Sequence, residues 1–183
     1  MLKRIILCIL KPLSFVPMLA MMVLIFSFSS QSGVDSGQLS HRVSCKIVEV
    51  GGRILDKPLE DWQIEAYADK IEHLVRKAAH MTEYFVLAIT VALPFYVYGL
   101  RGFPLLLVAG VICVGFACTD EYHQSFVAGR GPSMRDVCID SVGAFFGIML
   151  VRIVCWTLLA PARAAERRRR RRAKQRRYKT VGR

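Results

Sequence analysis

The sequence predicts an all-α polytopic membrane protein, a four-helix transmembrane bundle with amphipathic helices in the first extracytoplasmic loop. Hydrophobic residues make up 54% of the 183 residues, which exceeds the share in an ordinary soluble domain. They are concentrated in four runs, each close to the roughly 20 residues that cross a bilayer as a helix. Polar and ionisable residues gather at the ends of these runs, which is where a membrane bundle tolerates them.

The four spans are placed at about residues 13–28, 81–98, 103–118 and 137–159. The first span also resembles a secretory signal peptide. We favour a retained helix because the segment is long, contains Pro17 and lacks an Ala-x-Ala cleavage site. Pro94 predicts a kink near the end of the second span. Gly143 and Gly147 in the fourth span have the spacing of small residues that lets two membrane helices approach closely.

Residues 30–76 form the loop between the first two spans and are soluble in character. Its first part predicts an amphipathic helix that ends near Gly51-Gly52. The apolar positions of that helix are Leu39, Val43, Ile47, Val50 and Ile54. Pro58, followed by acidic residues, predicts the start of a second helix. Two placements remain open for these helices: on the membrane surface, or folded over the bundle.

The chain divides into a transmembrane domain, residues 1–160, and a basic tail, residues 161–183. From Arg163 onward there are 12 Lys/Arg and one Glu, whereas the residues before it hold 14 Lys/Arg and 13 Asp/Glu. Nearly all of the net charge of +12 therefore belongs to the tail, which we expect to be disordered. Because the tail directly follows a span, anionic lipid headgroups are favoured over nucleic acid as its contact. With Lys3 and Arg4, the tail predicts that both termini are cytoplasmic.

In this topology four polar clusters converge on the outer face, one from the end of each span. The candidate pocket residues are Ser29, Ser30, Gln31, Lys77, His80, Glu83, Tyr84, Asp120, Glu121, Gln124, Arg130, Asp136 and Asp140. Asp140 lies inside an apolar helix, where an unpaired carboxylate would cost several kcal/mol. We predict Arg130 as its partner, with Lys77 or His80 as the next choice.

Two kinds of chemistry remain open at these residues. His80 and Glu83 have the spacing of a metal-binding pair, to which His123 and Glu121 could add ligands, but an ion-pair network explains them as well. Ser29 or Ser30 with His80 and an aspartate could form a nucleophile, base and orienting group. No glycine-framed nucleophile elbow is present. We therefore assign no metal, no cofactor and no catalytic residue, and leave open whether the protein is an enzyme.

Five short motifs carry a resemblance to a known family. They are Phe28-Ser29-Ser30-Gln31-Ser32-Gly33, Lys77-x-x-His80-x-x-Glu83-Tyr84, Asp120-Glu121-x-x-Gln124-x-Phe126, Gly129-Arg130 and Asp136-Val137-x-x-Asp140-x-x-Gly143. In this order and spacing the sequence resembles the VanZ-like family of small bacterial membrane proteins. The family often has Asn where Asp140 stands and Pro where Gly129 stands, and the basic tail lies outside its pattern. The substitution at Asp140 brings a charge into the predicted pocket.

The resemblance implies a multi-pass protein of the bacterial cytoplasmic membrane. The family's namesake is an accessory protein that lowers susceptibility to teicoplanin, a lipid-bearing glycopeptide antibiotic. We expect membrane lipids as partners, and a lipid-linked cell-wall precursor or an amphiphilic glycopeptide as a candidate ligand that the protein binds or masks.

The alternative function is a membrane-embedded hydrolase or transferase that acts on a phospholipid or undecaprenyl-linked substrate. In that case His80, Asp120 and Glu121 would be acid/base groups and Arg130 a phosphate clamp. A small transporter is a weaker third hypothesis, because four spans offer little room without oligomerisation. The sequence leaves the oligomeric state open.

Overall fold

The computed structural model describes the backbone of residues 11–181 and the side chains of residues 11–157. This part of the chain is helical, without strands, and contains α1 (Val16–Ser29), α2 (Gly33–Ile54), α3 (Asp61–Val97), α4 (Gly102–Gln124) and α5 (Met134–Val181). Four of its segments are long and apolar enough to cross a membrane: Lys11–Ser29, Asp61–Val97, Gly102–Gln124 and Met134–Thr157. The predicted all-α membrane bundle is confirmed.

Two predictions are not tested by the described residues. Lys3 and Arg4 precede the described part, and the tail is described by its backbone alone, which continues α5 as a helix to Val181. The predicted disorder of the tail and the cytoplasmic placement of both termini stay predictions.

α3 is one continuous helix of 37 residues, whereas the sequence suggested an amphipathic helix followed by a separate span. Neither glycine nor proline occurs between Asp61 and Leu93, so nothing interrupts the helix. It begins at a capping box, in which the Glu60 N–H donates to Gln63 Oε1 at 3.0 Å, three residues later than Pro58 suggested. Because 37 residues extend about 55 Å, α3 is much longer than the roughly 30 Å hydrocarbon core.

α2 lies antiparallel along the N-terminal half of α3, since His41 contacts Asp69 and Glu72 while Gly52 lies against Leu59. The helix was predicted correctly, but its apolar stripe is not the face that packs. Small buried residues of α2, including Ser44, make the contact with α3. The five apolar residues that predicted the helix remain exposed: Leu39, Val43, Ile47, Val50 and Ile54.

The core of the bundle lies among α3, α4 and α5, with α1 packed on its flank. α4 contributes one fully buried residue per turn, at Leu105, Ala109, Cys113 and Ala117. α5 contacts α3 more closely still, because Gly143 and Gly147 lie against the backbone carbonyls of Met81 and Phe85. This contact positions the site: Asp136 and Asp140 fall within roughly 60° of these glycines on the helical wheel and so face α3 as well.

Candidate functional site

The polar end of the bundle, where α1 and α4 finish and α5 begins, contains a cavity of about 170 Å³. Six of the predicted site residues line it: Lys77, His80, Gln124, Arg130, Asp136 and Asp140. They come from α3, α4, α5 and the loop before α5. Residues far apart in sequence are thus brought to one place, as the topology predicted.

The cavity also has lining residues that the sequence analysis missed, among them Ser36, His73 and Arg76. A signal for two of these was present. His73 and Arg76 precede Lys77 and His80 at the spacing i, i+3, i+4, i+7, which places all four on one face of a helix. They were missed because the second span was taken to begin only at residue 81 and the outer loop to extend to residue 76. His73 and Arg76 were therefore counted as loop residues.

Two of the cations around the cavity are neutralised by carboxylates. Lys77 Nζ lies 2.9 Å from Asp136 Oδ1, in an ion pair that joins α3 to α5. Arg76 Nη2 lies 2.6 Å from Glu72 Oε1, one turn earlier on α3. Each pair is partly shielded from water, so the carboxylate largely neutralises the charge of the cation.

Arg130 does not pair with Asp140, and that prediction was wrong. Its Nη2 donates to the Phe28 carbonyl oxygen at 3.3 Å, and no carboxylate of the described residues lies within 4.0 Å of it, the limit for an ion pair. The reason is the path of the loop. Gly129 adopts the left-handed φ of 74°, and the Gly33 N–H donates to the Ala128 carbonyl at 3.0 Å. The loop is thereby fastened to the junction of α1 and α2, and partial burial there lowers the pKa of the Arg130 guanidinium.

Asp140 has no partner among the described residues, although it is only 3% exposed. Its Oδ1 is buried and accepts no hydrogen bond. Neither alternative cation pairs with it, because Lys77 is held by Asp136 and His80 Nδ1 lies 3.6 Å from Glu83 Oε2. The cavity is therefore bordered by an acidic and a basic side chain, Asp140 and Arg130, neither of which forms an ion pair with another described residue.

A second polar cluster, which is buried, joins α1 to α4. Asp120, which is 1% exposed, accepts hydrogen bonds at Oδ2 from Ser29 Oγ at 2.8 Å and Gln124 Nε2 at 2.9 Å. Gln124 also lines the cavity, so it connects the two groups. Hydrogen bonds of this kind offset the cost of burying the carboxylate, although Asp120 Oδ1 remains without a partner.

The remaining predicted residues have other surroundings. Glu121 Oε2 accepts from the Ser133 N–H at 2.8 Å and so holds the loop before α5. Tyr84 is fully buried in the core, where its hydroxyl has no hydrogen-bond partner in the described part of the chain. Ser30 is exposed and donates to the Phe26 carbonyl at 2.7 Å, and Gln31 is partly exposed; neither of these two lines the cavity.

The two kinds of chemistry left open by the sequence are not assembled in this geometry. The Ser29 hydroxyl donates to Asp120, and His80 faces Glu83 rather than a serine. The His123 ring stacks on Phe26 with centroids 4.0 Å apart, away from the predicted ligand set.

A different group of potential ligands does meet in the described part of the chain. The nearest donor atoms of His41, Asp69 and Glu72 lie within 4.8 Å of one another, between α2 and α3. Glu72 is already bound by Arg76 and the Asp69 side chain is 71% exposed, so surface ion pairing accounts for the group.

Comparison with known proteins identifies the family of the chain. A search of the curated proteins and a search of the solved structures each found no match. The family model described as VanZ/LLP1 matches residues 14–155, which include the whole polar end and its cavity. The chain therefore belongs to the VanZ/LLP1 family of membrane proteins.

Proposed function

We propose that this protein acts in the bacterial cell envelope by binding the headgroup of a lipid-linked component in the cavity at its polar end. The observation that carries the proposal is the pair of uncompensated charges on the cavity wall, Arg130 and Asp140. Buried or half-buried ionisable groups in membrane proteins are retained where they serve a ligand or an ion.

The size of the cavity favours a headgroup over a whole antibiotic. Pockets for drug-sized ligands measure about 300–1,000 Å³, whereas this cavity measures about 170 Å³. A glycopeptide such as teicoplanin is much larger than that. A role in reduced teicoplanin susceptibility would then arise because the protein binds or masks a lipid-linked envelope component, whose chains stay in the bilayer.

The orientation of the bundle decides which leaflet supplies the ligand. With both termini cytoplasmic, the polar end faces the outer leaflet, where glycopeptides meet their targets. Arg130 then lies at headgroup depth and favours a phosphate-bearing ligand, because its guanidinium is not neutralised by a carboxylate of the described residues.

Teicoplanin susceptibility of a host that lacks the protein tests the proposal. Expression of the unchanged chain should raise the minimum inhibitory concentration at least fourfold. Arg130→Gln should abolish that rise, because the cavity loses its free cation. Arg42→Gln is the matched control, since Arg42 is exposed on α2 and lies outside the cavity. With equal amounts of each variant in the membrane, full protection by Arg130→Gln would reject the cavity as the site.

A membrane-embedded hydrolase or transferase is the second candidate, and three buried carboxylates at the polar end favour it: Asp120, Glu121 and Asp140. Two of them are held by hydrogen bonds that give them a structural role, Asp120 by Ser29 and Glu121 by Ser133. Only Asp140 is free to act on a substrate. Turnover of a radiolabelled phospholipid that disappears in Asp140→Asn would support the enzyme over the binding protein.

A further inference from the structure

We propose that the headgroup bound in the cavity is zwitterionic, a phosphate ester that carries a primary ammonium group, as in an ethanolamine phospholipid. This inference rests on the proposed function and specifies the chemistry of its ligand. It follows from the charges that the cavity wall leaves without partners, one of each sign.

The uncompensated cation is Arg130. The two other cations of the cavity with permanent charge are engaged, Lys77 with Asp136 and Arg76 with Glu72. Among the described residues Arg130 donates one hydrogen bond, to a backbone carbonyl at 3.3 Å, and forms no ion pair, so most of its five N–H donors are available. A guanidinium presents these donors in a planar fork that matches the oxygens of a phosphate.

The acidic side chain of the cavity wall that has neither a hydrogen bond nor an ion pair among the described residues is Asp140. It lines the same cavity, is 3% exposed, and has a buried Oδ1 without a hydrogen-bond partner. The other carboxylate of the wall, Asp136, is already bound by Lys77. His80 also lines the cavity, but its Nδ1 is directed to Glu83. A primary ammonium would bring Asp140 both a positive charge and up to three N–H donors.

The arrangement selects against a headgroup of one sign. Arg130 and Asp140 line one cavity and do not form an ion pair with each other, so a ligand in that cavity has both side chains on its wall. A purely anionic headgroup would gain the contact with Arg130 but would bring negative charge towards Asp140. A purely cationic one would leave Arg130 without a partner. Only a ligand with both charges compensates both residues. Specificity arises because a headgroup of one sign either brings like charge towards Asp140 or leaves Arg130 without a partner.

Lipid competition on the purified full-length protein tests this inference. The protein is equilibrated in mixed micelles that contain equal amounts of phosphatidylethanolamine and phosphatidylglycerol, and the lipids that remain bound are counted by native mass spectrometry. We expect the ethanolamine lipid to be retained at least tenfold more than the glycerol lipid. Asp140→Asn should reduce this ratio to about one, whereas Arg130→Gln should remove retention of both lipids.

Two surface variants serve as matched controls, since they remove a charge of the same sign outside the cavity. Glu65→Gln and Arg42→Gln lie on exposed positions of α3 and α2, and both should retain the lipids as the unchanged protein does. Size-exclusion profiles and melting temperatures establish that each variant is folded.

Each outcome of the competition has a distinct meaning. Equal retention of the two lipids by the unchanged protein, or an unchanged ratio in folded Asp140→Asn, would overturn the zwitterionic ligand. Headgroup binding through Arg130 would survive that result. If every variant, including Arg130→Gln, retains the lipids as the unchanged protein does, the proposed function is overturned as well.

The comparison remains decisive if Asp140→Asn does not fold. Phosphatidylcholine is then tested against phosphatidylethanolamine on the unchanged protein alone. Its trimethylammonium group has the same charge but no N–H donor and is bulkier. Preference for the primary amine by fivefold or more supports the hydrogen bond to Asp140, and equal retention contradicts it.

Discussion

Charges at the polar end are compensated in part, and Lys77 and Asp136 form the compensated pair between α3 and α5. The two side chains are 22% and 38% exposed, so the pair is neither fully buried nor freely solvated. Pairs in this setting contribute more than exposed ones, because salt and water screen them less. The pair also leaves Asp140 without Lys77 as a partner.

A double-mutant cycle on Lys77→Met and Asp136→Asn should give a coupling free energy of about 1 kcal/mol. The same cycle on Arg130→Gln and Asp140→Asn should give less than about 0.5 kcal/mol in lipid-free protein, because these residues do not form an ion pair. Unfolding free energies from titration with a denaturing detergent supply both values. Lys46 and Glu49, an exposed pair on α2, are the control and should show little coupling. A larger coupling for Arg130 and Asp140 than for Lys77 and Asp136 would contradict the observed pairing.

Ser29 should matter far more to stability than its neighbour Ser30. Ser29→Ala removes a hydrogen bond from buried Asp120, which leaves a carboxylate less satisfied in a dry site and costs about 1–3 kcal/mol. Ser30→Ala removes only a bond from an exposed hydroxyl to the backbone of its own helix and should change stability by less than about 0.5 kcal/mol. The melting temperatures of the two variants measure the difference. Similar melting temperatures would show that the cluster around Asp120 is not stabilising.

At the scale of the helices, the contact of α5 with α3 depends on glycine. A Cβ atom at Gly143 would overlap the Met81 carbonyl oxygen, and one at Gly147 would overlap that of Phe85. Because both obstacles are backbone atoms, neither helix can relieve the overlap by turning a side chain. α5 would have to move away from α3, and Asp136 and Asp140 would move with it.

Gly143→Ala is therefore expected to lower the unfolding free energy by about 1–3 kcal/mol, the usual cost of overpacking. Gly115→Ala is the matched control, since a Cβ atom there meets nothing within 4 Å. It should leave stability unchanged or raise it slightly, because alanine has the higher helix propensity. Detergent titration of both variants provides the measurement. Equal effects at the two glycines would argue against the close contact.

The periodicity of apolar residues predicts the helices but not the faces on which they pack. The apolar stripe of α2 correctly predicted a helix, but Leu39 and Ile47 remain about half exposed. Small residues such as Ser44 pack instead, since they let the two backbones approach. Periodicity reveals the apolar face of a helix, but it does not reveal which face a neighbour will cover. The continuity of α3, in contrast, could have been predicted from its lack of glycine and proline up to Leu93.

For the whole molecule, the predicted orientation determines which leaflet the cavity faces. Cysteine labelling tests it in a variant whose six native cysteines are replaced by alanine. A membrane-impermeant thiol reagent should label Gln38→Cys and Gly131→Cys in intact cells, because both positions are exposed at the polar end. Tyr98→Cys, at the opposite end, should react only after permeabilisation. The reverse pattern would place the cavity at the cytoplasmic leaflet and would exclude the proposed encounter with outer-leaflet lipids.

The number of membrane helices, the family and the end of the bundle at which the polar residues meet could all be predicted before the fold was known. These properties follow from the length of apolar runs and from connectivity, which places alternate span ends on one side. The motifs from Phe28 to Gly143 could be recognised for the same reason, since each lies at or beside the end of a predicted span.

Which charges are paired became visible only in three dimensions. Pairing depends on the rotation of α5 against α3, which Gly143 permits, and on the path of the loop that Gly129 turns towards Gly33. Neither can be read from spacing along the chain, because a shift of a few ångströms exchanges one partner for another. As a result Lys77 binds Asp136, while Arg130 and Asp140 line the same cavity and neither forms an ion pair with another described residue.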